Sequence, residues 1–227
     1  MKILADARGH RRLWYEVSEI EQITSDALKA ANLWPERETG AIDVERLLEV
    51  HLGANVDYAG DLDRTTLGYT VFEVPPLVVV NRKLTDMASS PTASLGLLGR
   101  WRATLAHEAA HILLHARLYA AGEASTKQRS VRCLRSEIHA GAEARDWREV
   151  QANMGMAALL MPERLFLDQA RALLDGYRPV FPPLDPNGPD GRWLTEALAE
   201  CFRVSRQATR LRLASFGLLE RSDPRRS

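Results

Sequence analysis

The chain is poor in cysteine: only Cys133 and Cys201 occur, far apart and in no Cys-x-x-Cys pair. That argues against a disulfide framework, and two free thiols in a reducing cytoplasm are expected. An excess of either charge is also missing. The 30 Lys and Arg balance 30 Asp and Glu, so overall charge points to neither nucleic acid nor a membrane surface. No stretch approaches the ~20 apolar residues of a membrane helix. The opening Met1-Lys-Ile-Leu-Ala-Asp-Ala-Arg lacks the apolar run of a secretory signal, and no internal repeat is evident. These absences lead to the expectation of a soluble, cytoplasmic protein without a membrane partner. At 227 residues it is long enough for one sizeable core and a small appendage.

What is present is concentrated in Thr104-Leu-Ala-His-Glu-Ala-Ala-His-Ile-Leu-Leu-His115. Residues four apart lie one turn above each other on a helix, so His107 and His111 can grip one Zn²⁺. Glu108 falls on an adjoining strip, placed to act as general base on a water without itself ligating. Leu105, Ala109, Ile112 and Leu113 supply the apolar face that makes this run a helix. His115 lies one further turn along. Three histidines spread over ~12 Å of rise cannot share a single Zn²⁺, so His115 is expected to be structural or to support a ligand.

Periodicity organises the remainder. Ile20, Ile23, Ala27, Leu28 and Ala31 form a helical stripe stopped by Pro35, after a polar, loosely patterned first ~20 residues expected to be an arm or lead-in helix. Asp43 caps a short helix, with Val44, Leu47, Leu48 and His51 as its inward face, that ends at Gly53. The segments 55–58, 67–72 and 77–81 read as three strands, and their close spacing suggests an antiparallel meander packed on helices. The active-site helix is expected over about 98–121 with Gly122 as its stop. Residues 123–145 are charged and irregular, with a short strand near Val131 to Leu134. Asp146 opens another helix to about Leu160, and Pro162 opens a third that ends at Gly176.

A catalytic zinc site commonly has three protein ligands and one open position. The helix beginning at Trp147 is the natural source of the third: Glu149 and Asn153 are four apart on one face. Glu149 can offer a carboxylate oxygen, and Asn153 can accept a hydrogen bond from a ligand imidazole. Glu143 and His139 are rivals in a less regular stretch with no partner at helical spacing.

The strand meander, then Leu-Ala-His-Glu-x-x-His-Ile-Leu-Leu-His, then Asp146-Trp-Arg-Glu-Val-Gln-Ala-Asn with Ala-Leu-Leu-Met-Pro162, resembles the ImmA/IrrE metallopeptidases over about residues 20–175. The resemblance implies an α+β, zincin-like core whose small antiparallel sheet packs on the active-site helix. It implies one catalytic Zn²⁺ held by His107, His111 and Glu149, with Glu108 as base. It also implies a narrow protein substrate, such as a helix-turn-helix repressor controlling a stress-response or mobile-element operon. Two departures stand out: Asn153 where some relatives have Asp, and Met154-Gly-Met156 where an aromatic often sits. Tyr177 and His139 are candidates for stabilising the oxyanion, and nothing in the spacing chooses between them.

Pro179 to Gly191 is dense in proline and glycine and reads as a linker, dividing the chain into a peptidase domain (1–178), a linker (179–191) and a C-terminal unit (192–227). That unit reads as helix, tight turn, helix, with Leu198, Phe202, Val204, Ala208 and Leu211 as its apolar spacing. Its second helix offers Arg206, Gln207 and Arg210 to DNA or a protein partner, with Arg212 available for phosphate. Docking is favoured over DNA binding, because Arg203 occupies the turn where glycine would be easier and the basic excess is small. The alternative to a zinc endopeptidase is a DNA-binding or docking regulator with a structural or inactive zinc site.

Overall fold

The computed structural model describes residues 2–5, 11–35, 40–120, 130–134, 147–176 and 181–220, and for 2–5, 11–12, 120 and 130–134 the backbone alone. The fold is α+β: a four-stranded sheet and a two-stranded hairpin set among helices. The N-terminal segment, expected to be an arm or helix, is that hairpin. Strand β1 (Lys2–Ala5) pairs antiparallel with β2 (Arg11–Trp14). Its anchor is apolar: Leu13 and Tyr15 are buried in a cluster with Ile20, Leu114 and Ala158, and the Tyr15 hydroxyl donates to the Leu114 carbonyl at 3.2 Å. Helix α1 (Val17–Ala30) follows, and Asn32 in the left-handed region (φ 54°) ends it before Pro35 is reached. Asp43 caps α2 (Val44–Arg46), accepting from the Arg46 N–H, and the helix closes in a π turn over Leu47–His51. Leu47 and Leu48 are buried there, while His51 faces solvent rather than the core.

The four-stranded sheet departs from the expected meander. Its strands β3 (Asn55–Gly60), β4 (Thr66–Val71), β5 (Leu77–Asn81) and β6 (Ser130–Leu134) lie in the order β3-β5-β4-β6. Strand β5 inserts between its two predecessors, parallel to β3 and antiparallel to β4, and β6 adds antiparallel to β4. Burial supplies the reason. Leu-Val-Val-Val-Asn is buried from Val78 to Asn81 and takes an inner position, whereas β3 alternates with exposed residues such as Asp57 and takes an edge.

After α3 (Arg82–Ala88), Ser94 accepts from the Leu97 N–H and starts α4 (Leu95–Ala120) a turn earlier than expected. Helix α5 (Trp147–Leu160) crosses α4, α6 (Glu163–Asp175) follows Pro162, and α7 (Pro189–Phe202) turns through Arg203 in the left-handed region (φ 55°) into α8 (Arg206–Ser215).

The last two helices are not set apart by a linker. Leu184 is buried within the supposed linker, and α7 already begins at Pro189. Leu194, Leu198, Phe202, Val204 and Leu213 share one core with Leu28, Leu105, Leu159 and Phe166. A Cβ on Gly99 would fall 2.5 Å from the Ser205 nitrogen, so the turn between α7 and α8 sits directly on the α4 backbone. Leu211, expected in that core, is 60% exposed, and Leu213 is the buried residue in its place. Arg212 is likewise buried instead of free for phosphate. Its guanidinium donates to the Met161 carbonyl at 3.1 and 2.8 Å and pairs with Glu21 at 2.7 Å.

Candidate metal centre

Helices α4 and α5 cross where a glycine permits it. A Cβ on Gly155 would stand 2.7 Å from the Ala110 Cβ, closer than two carbons tolerate. This contact brings a strip of histidines on α4 against a strip of polar side chains on α5. His107, His111 and His115 are each fully buried. The Nε2 atoms of His107 and His111 lie 2.9 Å apart. Glu149 faces both, with Oε2 at 3.1 Å from His107 Nε2 and Oε1 at 3.4 Å from His111 Nε2. One donor atom from each of the three lies within 4.8 Å of the other two.

The electrostatics fit a cation. Burial drives the His111 pKa down to about 4, keeping its imidazole neutral. Burial opposes ionisation of Glu149, but hydrogen bonds to His107 and His111 outweigh it and hold the carboxyl at about 2. At His107 burial disfavours the charged ring, while Glu149, Glu108 and Asn153 overcome this and raise its pKa. A proton and a metal ion therefore compete for this pocket. Two imidazoles and a carboxylate form a donor set that zinc accepts.

The outer nitrogens are also engaged. His107 Nδ1 lies 3.1 Å from Asn153 Oδ1, and His111 Nδ1 lies 3.1 Å from His115 Nδ1. His115 is thus outside the triad. Burial presses its pKa to about 3, and Trp147 meets its ring edge-on at 5.4 Å.

Glu108 turns toward the sheet. Its Oε2 accepts from the Thr70 hydroxyl at 2.6 Å, while its Oε1 is buried with no hydrogen-bond partner among the described residues. Burial raises its pKa to about 7, with His107 and the Thr70 hydrogen bond holding it from going higher. A buried carboxyl with one oxygen anchored and one free, poised near neutrality, has the properties of a general base.

Thr70 was not singled out by sequence reasoning. Its signal was a hydroxyl at an inward position two residues from Gly68 in a short strand. Gln151, which meets His115, was also missed. His139, Glu143 and Tyr177 lie outside the described residues, as do the boundary residues Gly122 and Asp146. Only the backbone of Cys133 is described, and Cys201 is a half-buried free thiol. Arg206, Gln207 and Arg210 are not brought to the metal centre. Arg206 pairs with Glu196 at 3.2 Å, Arg210 donates to Asn187 at 2.9 Å, and Gln207 is exposed.

A two-histidine, one-glutamate donor set beside a free buried carboxyl is an arrangement that metal-dependent hydrolases use. Residues 98–214, more than half of the chain, match the IrrE N-terminal-like domain family, Peptidase_M78, and the protein belongs to that metallopeptidase family. No curated protein matches the chain. The match starts later than the resemblance drawn from motifs and continues through α7 and nearly all of α8, so the C-terminal helices are part of the family's domain. No helix among the described residues is long and apolar enough to cross a membrane.

Proposed function

We propose that the protein is a zinc-dependent endopeptidase acting on a specific regulatory protein, of which a helix-turn-helix repressor of a stress-response or mobile-element operon is the favoured class. The observation that carries the reading is the buried donor set of His107, His111 and Glu149 beside the free oxygen of Glu108. Zinc bound by the three residues would act as a Lewis acid on the scissile carbonyl and lower the pKa of the attacking water. Glu108 takes a proton from that water through Oε1 while Thr70 keeps Oε2 fixed, and then passes the proton to the departing amine. Asn153 holds the His107 ring so that its Nε2 faces Glu149, where it would be available to a metal. Membership in the metallopeptidase family supports the reaction class. The repressor substrate follows from the ImmA/IrrE resemblance, and the cytoplasmic location remains the expectation drawn from the sequence composition. The engaged state of Arg206 and Arg210, and the burial of Arg212, favour a peptidase over a DNA-binding regulator.

The test compares the wild type with Glu108→Gln and Glu149→Ala, measuring metal content and cleavage of a co-expressed helix-turn-helix repressor. Glu108→Gln should retain zinc and lose about 10²- to 10⁴-fold in cleavage rate, and Glu149→Ala should lose most of the metal. Cleavage by Glu108→Gln near the wild-type rate would assign the base to another group.

A further inference from the structure

A chain of polar contacts leaves the metal triad at His111 and ends on the backbone of the N-terminal hairpin. His111 Nδ1 is 3.1 Å from His115 Nδ1, and His115 Nε2 is 3.2 Å from the side-chain amide of Gln151. That amide also meets the Leu13 carbonyl at 3.2 Å and the Tyr15 N–H at 2.9 Å. His111 and His115 are fully buried and Gln151 nearly so, so these groups must satisfy one another.

Only the two backbone groups have fixed roles, since a carbonyl accepts and an N–H donates. The Tyr15 N–H therefore takes the amide oxygen of Gln151. The amide NH₂ then serves the Leu13 carbonyl with one hydrogen and His115 Nε2 with the other. With Nε2 accepting, neutral His115 carries its proton on Nδ1 and donates it to His111 Nδ1. Neutral His111 is left with its proton on Nε2, the nitrogen that faces His107 and Glu149 and whose lone pair a metal needs. His107 has no such conflict, because its Nδ1–H can donate to Asn153 and leave Nε2 free.

For His111 to ligate, its proton must sit on Nδ1, so His115 must accept there and carry its own proton on Nε2. Gln151 must then present its oxygen to His115, and turning the amide over gives up both bonds to Leu13 and Tyr15. The proton count does not change: His111 Nε2 loses one and His115 Nε2 gains one. We propose that His115 and Gln151 are positioning residues that set metal affinity through this tautomer relay, which can satisfy the N-terminal hairpin or a metal-ready His111 but not both. The proposal rests on the reading of His107, His111 and Glu149 as metal ligands.

Gln151→Glu relieves the conflict in part, because one carboxylate oxygen can accept from His115 Nε2–H while the other keeps the bond from the Tyr15 N–H, and only the bond to the Leu13 carbonyl is given up. Chelator competition with Zn²⁺ on the full chain should show tightening of about 10-fold or more, the scale of changes in groups that orient a ligand. In a His115→Phe background the same substitution should have no effect, since the relay is cut. Nitrogen NMR of the histidine rings in the metal-free wild type should place the protons on His111 Nε2 and His115 Nδ1. On adding zinc they should move to His111 Nδ1 and His115 Nε2, and the Tyr15 amide should lose protection from exchange. Metal-free His111 protonated on Nδ1 overturns the proposal even if the variants fail to fold. So does tightening by Gln151→Glu that persists in the His115→Phe background, which would be an effect of charge acting through space. A wild type that binds no zinc would instead refute the triad as a metal site, while the metal-free tautomers still report on the relay.

Discussion

Replacing Arg212 with alanine should cost this protein about 3–5 kcal/mol, the usual penalty for removing one partner of a buried ion pair. The figure follows from what the guanidinium holds. It donates twice to the Met161 carbonyl, at 3.1 and 2.8 Å, and contacts Glu21 at 2.7 Å, with both charged side chains about nine-tenths buried. Alanine strands a buried carboxylate on α1 and a carbonyl at the junction of α5 and α6, and it removes the cation 4.6 Å from the Phe216 ring. Against a total stability of roughly 5–15 kcal/mol, such a loss takes about a fifth or more. Urea unfolding of the full chain measures it as a fall in midpoint at constant slope. Arg212→Met with Glu21→Leu should recover most of the loss, because an apolar pair leaves no charge stranded. Burial already raises the Glu21 pKa despite Arg212, so without the guanidinium the carboxyl protonates more readily and the cost should shrink in acid. A loss below about 1 kcal/mol, as for a surface pair, would refute the reasoning.

Two further outcomes are expected. Gly155→Ala should push α5 off Ala110 and destabilise the protein by about 1–3 kcal/mol; chelator competition should show weaker zinc binding, and unchanged affinity would mean the helix crossing does not control the donor spacing. Acidification of the metal-free protein should cost stability gently at first and steeply below pH about 4.5. Between 6.5 and 4.5 the unfolded chain takes up protons that His111 (about 4) and His115 (about 3) refuse in the fold, which destabilises, while Glu108 (about 7) binds one early and offsets part of it. Below 4.5 the Glu108 offset is spent, and Glu149, held at about 2, refuses a proton alongside His115, with His111 adding a third only down to about 4. Thermal melts across pH 3–7 should show that break in slope, and one uniform slope would count against these assignments.

The metal centre was legible because helical periodicity turns spacing into geometry. His107 and His111, and across from them Glu149 and Asn153, are each four apart, so their faces could be read without knowing how the helices cross. What lay between elements was not legible. Strand order depends on which strand is buried on both faces, and the burial of β5 on the way from Val78 to Asn81 decided it over chain proximity. Thr70 reaches Glu108 only because β4 lies beneath α4, a contact that spans 38 residues of chain. Arg212 looked like a surface cation because nothing local reveals that Glu21 and the Met161 carbonyl await it. Leu211 and Leu213 were separated by the rotation of α8 against its neighbours, which composition does not set.

The proline-rich stretch looked like a boundary for a reason visible in its backbone. Leu184 and Leu219 form a parallel bridge, with the Leu184 N–H donating to the Leu218 carbonyl at 3.0 Å and the Glu220 N–H to the Leu184 carbonyl at 2.9 Å. The chain therefore sets out on its final two helices and returns from them at one place, as it would around an inserted module. Topologically the excursion could be excised and its ends rejoined with hardly any span to bridge. Energetically it could not, because Phe202, Leu198 and Leu213 would leave a void beside Phe166 and Leu105. Ease of rejoining and independence of folding are separate properties, and in this protein the same 36 residues possess the first and lack the second.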